Sequence, residues 1–163
     1  MKSFLNILTK VESFIAGFFI ALLSGFVIFD VLSREIFNVG HPWAQKSAVY
    51  LMIWAGFLGA ALVAQKASHL RPEIADKIWG EKRLAILVRV QNIVIILFCA
   101  FFMIASISYV MESYEFGDKS VVLRISLWIL QLVIPYTFFS IALRSFYYLI
   151  NPAEQLKHKR EFN

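Results

Sequence analysis

Four long apolar runs separated by short polar stretches set the pattern of this chain. They cover about residues 13–32, 47–65, 88–111 and 125–150, with Leu84 as the alternative start of the third. A run of about 18 or more apolar residues is long enough, as a helix, to cross a hydrocarbon core of roughly 30 Å. The pattern therefore predicts four transmembrane helices. Before the first, Met1 to Lys10 is short and basic, with Phe4, Leu5, Ile7 and Leu8 at helical spacing. That segment is expected to lie in the interface. Gly40-His41-Pro42 breaks the chain after the first span, and Pro42 suits a first helical position because that position needs no N–H. Between the second and third spans, Pro72 to Trp79 reads as a short interfacial amphipathic helix, with Ile74, Ile78 and Trp79 on one face and Gly80 as its stop. Pro135 lies inside the fourth span and should kink it. The tail, 151–163, is polar.

Composition agrees with this reading. Of 163 residues 60% are hydrophobic, and sixteen Phe against four Pro favour long lipid-facing helices over a loop-rich soluble fold. The expectation is an all-α membrane protein with a single membrane domain over 1–163. The net charge of +5 does not point to nucleic acid, because the cations flank apolar runs rather than forming a stripe. Cys99 is the single cysteine, so no intrachain disulfide can form. The first apolar run is too long for a signal peptide, and Asp30, Ser33 and Arg34 follow where small residues would mark cleavage.

The cations also give an orientation. Twelve of the sixteen fall on the side of the N-terminus, the middle connection and the tail, counting Arg89 at the start of the third span and Arg144 near the inner end of the fourth, which places both termini in the cytoplasm by the positive-inside rule. Asp30 and Arg34, four residues apart, either form an interfacial pair that ends the first span or reach a partner subunit. Gly56, Gly59, Ala60 and Ala61 mark either close packing within the bundle or a docking face. Trp43 is placed to anchor at headgroup depth, whereas Trp54 lies inside the second span, where its indole N–H favours burial against protein.

Intrinsic chemistry is not expected. Haem would need histidines facing each other inside spans, yet His41, His69 and His158 lie in connections or the tail. Between the expected span ends there is no Glu, Lys or His, and the one Asp, Asp30, lies near the outer end of the first span. Arg144, about one and a half turns from the inner end, is placed to snorkel to the headgroups. No catalytic residue, cofactor or metal site follows from these residues.

Several short motifs share an order. Arg34 and Phe37-Asn38 leave the first span, followed by Pro42-Trp43, Trp54, Gly59-Ala60 and His69-Leu70-Arg71-Pro72-Glu73. Ser120, Leu123, Ile125, Trp128 and Pro135 come later. Together they resemble the small membrane subunit of tripartite ATP-independent periplasmic (TRAP) transporters, from about Asp30 to Arg144. Gln45 and Lys46 replace the two acids that this family often carries after Pro-Trp, which questions any inter-subunit contact that those acids make. Ser126 stands where the family usually has proline.

The resemblance implies a non-catalytic scaffold in the bacterial inner membrane. Its partners would be a large multi-span subunit working as an elevator, a periplasmic substrate-binding protein and membrane lipids. The cargo would be an organic acid of C4-dicarboxylate or sialic acid type, coupled to sodium. Arg34, Trp43, Trp54, Gly59 and His69 are the candidate assembly residues. A self-sufficient small oligomeric transporter or channel is the alternative, and a membrane enzyme or redox subunit a third reading.

Overall fold

The computed structural model describes residues 2–66 and 81–152. The expected interfacial helix at 72–79, His69 and the tail beyond residue 152 lie outside the described residues. What is described is nearly all helix: α1 Lys2–Phe37, α2 Pro42–Lys66, α3 Glu81–Glu115, α4 Leu127–Gln131 and α5 Val133–Ile150. Four stretches are long and apolar enough to cross a membrane: Ser3–Phe37, Pro42–Ala64, Val88–Glu115 and, through α4 and α5 together, Leu127–Ile150. The all-helical, four-span reading of the sequence is thereby met.

The helices reach further than their apolar runs. Lys2 to Lys10 is no separate segment but the opening of α1, which continues unbroken past Asp30 to Phe37. Asn38 then takes a left-handed conformation, φ 53°, which ends the helix where a non-glycine residue most readily accepts it. Pro42 opens α2 as its first residue, and the His41 carbonyl accepts the first amides, from Ala44 at 3.0 Å and Gln45 at 3.3 Å.

The fourth span is interrupted, at Leu132, between α4 and α5. Pro135 is the third residue of α5, and it has no N–H to return to the Gln131 carbonyl, the last residue of α4. Leu132 keeps helical dihedrals (φ −55°, ψ −24°), so the chain runs on through the break.

Packing links the elements in one order of neighbours. α1 lies against α2 and α3 against α5, while α2 against α5 joins the two pairs. Where α1, α2 and α5 meet, Ala16, Leu58 and Val133 are buried, with Phe19, Trp54 and Phe57 packed around them. Aromatic contact serves α3 instead: Phe102 stacks on Phe138 at 5.5 Å, and Tyr114 meets Trp128 edge-on at 5.6 Å. The α3–α4 connection turns at Gly117 (φ 65°) and closes on itself through Ser120 N–H to the Ile125 carbonyl at 2.8 Å. Tyr50 on α2 donates to the Ser120 hydroxyl at 2.8 Å, tying that connection to the bundle.

Candidate functional site

Three charged side chains are buried among the described residues, Asp30, Glu12 and Arg144. They form two polar clusters near opposite ends of α1. At the Asp30 end the carboxylate is 4% exposed and accepts three bonds. Its Oδ1 takes the His41 backbone N–H at 2.7 Å; its Oδ2 takes Arg34 at 2.5 Å and Gln45 Nε2 at 2.8 Å. Two of those donors come from the α1–α2 turn and the start of α2, so Asp30 closes the hairpin as well as pairing with its neighbour one turn on. Gln45, one of the two residues standing where the family often carries acids, thus bonds to Asp30 within this chain.

Aromatic rings cover the same end. Trp43 stands edge-on to Phe26 at 6.0 Å and lies 5.9 Å from Phe29, which in turn meets the His41 ring at 5.2 Å. Trp43 keeps 43% of its surface exposed, and the Arg34 side chain 55%. Both candidates are thus partly open to the surroundings.

The second cluster corrects the sequence reading. Arg144 does not snorkel: it is 3% exposed and ion-paired with Glu12, itself 1% exposed. The guanidinium also donates to the Ala61 carbonyl on α2 at 2.8 Å and reaches Thr9 at 3.4 Å. Glu12 accepts in addition from Ser140 at 2.7 Å and from Tyr136 at 2.8 Å. The expectation of membrane helices empty of charge fails because α1 begins well before its apolar run, which brings Glu12 inside the bundle. A bare arginine buried there would be very costly, and the pair neutralises it.

A signal for this cluster exists in the sequence. Tyr136, Ser140 and Arg144 recur every four residues, so they line one face of an otherwise apolar helix. Glu12 lies eighteen residues before Asp30, which is about five turns and puts both acids on one line of α1.

The other candidates do not converge. Trp54 packs edge-on to Phe19 at 6.0 Å beside the Ala16–Leu58–Val133 core. The small residues of α2 divide between two faces. Ala61 is fully buried under Arg144, whereas a Cβ added to Gly56 or Gly59 would meet nothing within 4 Å. A shallow cleft lined by Met52, Ile53, Gly56, Phe57 and Ala60 opens on that second face. Within the described chain, neither glycine is required for a close helix contact.

The family model of the DctQ component of tripartite ATP-independent periplasmic transporters matches residues 23–155. The chain belongs to this family. A DctQ component is the small membrane subunit of a transporter, and the four membrane-capable stretches agree with that place. A stretch of 75 residues is also 26% identical to the sialic acid TRAP transporter permease protein SiaT of Haemophilus influenzae (strain 86-028NP). That match covers 46% of this DctQ component and 12% of the relative's length.

Proposed function

We propose that this DctQ component is a non-catalytic scaffold within a sodium-coupled importer of organic acids. It would widen and anchor a large multi-span subunit that moves as an elevator and receives its cargo from a periplasmic binding protein. One observation carries the reading. Each buried charge among the described residues is answered within the chain, Glu12 by Arg144 and Asp30 by Arg34, Gln45 and the His41 amide. Carrying an anionic solute calls for a charge or dipole free to meet it in the membrane. A supporting platform calls for width, anchoring aromatics and apolar surface, and much of the apolar surface of α1 and α3 is exposed.

For the cargo, an organic acid of C4-dicarboxylate or sialic acid type, the local identity to a sialic acid TRAP permease supports the second class. The cation distribution supports an inner-membrane subunit with both termini in the cytoplasm.

Co-expression with its large subunit tests the proposal. The two should co-purify from detergent extracts, and sodium-driven uptake in vesicles should require both together with the binding protein. Solute flux through vesicles holding this chain alone would overturn the scaffold reading in favour of a self-sufficient transporter or channel.

A further inference from the structure

We infer that Glu12 and Arg144 are positioning residues that fix the rotation of α1 about its own axis. Apolar patterning cannot do this. The outward face of α1 carries Phe14, Phe18 and Ile28, and the inward face Ala16 and Phe19, so both faces are apolar. In a bilayer, exchanging one apolar face for another withdraws nothing from water, so the hydrophobic effect does not select the rotation.

Polar groups lie on the inward line and select it. Glu12 and Asp30 stand about five turns and about 27 Å apart on one side of the helix. Each is bonded inward to a different partner: Asp30 to the start of α2, Glu12 to α5. Arg144 completes the arrangement by holding Glu12 with one nitrogen group and the α2 carbonyl of Ala61 with another. Turning α1 by a single residue, about 100°, would carry the carboxylate away and leave a buried guanidinium unanswered. Asp30 is the weaker staple, because its Arg34 is half exposed and can be solvated. A buried ion pair contributes little net stability yet penalises every arrangement that separates its members, so it can select one register.

The rotation decides which face of α1 is turned outward. That this face serves the large subunit rests on the scaffold reading; the rotation itself does not.

Disulfide trapping in native membranes tests the inference, using the full chain co-expressed with its large subunit in a Cys99→Ser background. Ala16→Cys with Leu58→Cys pairs two buried members of the core cluster on the adjacent helices α1 and α2; Gly17→Cys with Leu58→Cys samples the position about 100° away, where Gly17 faces open space. With Glu12 and Arg144 present, the first pair should form and the second should not. In Glu12→Leu/Arg144→Leu the ratio of first to second should fall by about tenfold or more. Glu12→Asp, which keeps the charge on a shorter stem, should lower it severalfold and covers the case in which the double variant is lost from the membrane. An unchanged ratio in either variant overturns the inference. Failure of the native chain to co-purify with its large subunit would sink the scaffold reading and leave the ratio as evidence on rotation alone.

Discussion

A buried arginine is tolerated only while its charge is answered, and at Arg144 the answer comes mainly from one carboxylate. Arg144→Ala would leave Glu12 enclosed with only the Tyr136 and Ser140 hydroxyls as donors. Removing one member of a buried pair costs about 3–5 kcal/mol, whereas replacing both with apolar residues is often close to neutral. Denaturant titration of the purified complex should therefore rank Arg144→Ala well below Glu12→Leu/Arg144→Leu. A comparable loss in the two would mean that the pair is a source of stability in itself. Gly117 makes a smaller case of the same kind. Its φ of 65° strains any side chain although nothing lies within 4 Å of an added Cβ. Gly117→Ala should cost about 1–2 kcal/mol from backbone strain alone.

Among the elements, α1 shows how far a helix can exceed the apolar run that announces it. Helix formation needs only continuity of hydrogen bonds and no breaker before Asn38, so Lys2 to Phe37 form one rod. The break between α4 and α5 is the opposite case, since Pro135 withholds one amide and the chain accommodates it one turn earlier. Among the described residues, the side-chain bond that holds the α3–α4 connection to α2 is Tyr50 to Ser120. Tyr50→Phe should remove about 0.5–1.5 kcal/mol and loosen that connection. Limited proteolysis near Val121, which is 95% exposed, should then quicken while cleavage elsewhere stays unchanged. Equal rates in both proteins would show that the connection is held by its own hairpin bonds.

At the scale of the whole molecule, most apolar surface faces outward, as a membrane subunit requires. Gly59 is the sharpest probe of what meets that surface. With open space where its side chain would be, Gly59→Leu should leave the bundle's own packing intact. If the large subunit lies close against this face, the same change should weaken co-purification by tenfold or more, about 1.4 kcal/mol. Loss of the subunit's own stability in step with its binding would show that the glycine serves contacts within the chain.

Hydrophobic length and periodicity along the sequence were enough to determine four apolar helices, the break at Pro135 and the start of α2 at Pro42, because each depends on local chain chemistry and on the thickness of a bilayer. The Asp30–Arg34 pair was legible for the same reason, being four residues apart on one helix. Tertiary structure alone decided that Glu12 belongs with Arg144, that Gln45 closes on Asp30, and that Ala61 faces inward while Gly59 faces out. Those partners are brought together by helix packing across more than a hundred residues in the case of Glu12 and Arg144. In a chain whose helices are apolar on every side, local pattern does not say which face turns inward. The few buried polar groups do, and they can be recognised as partners only once the helices are set side by side.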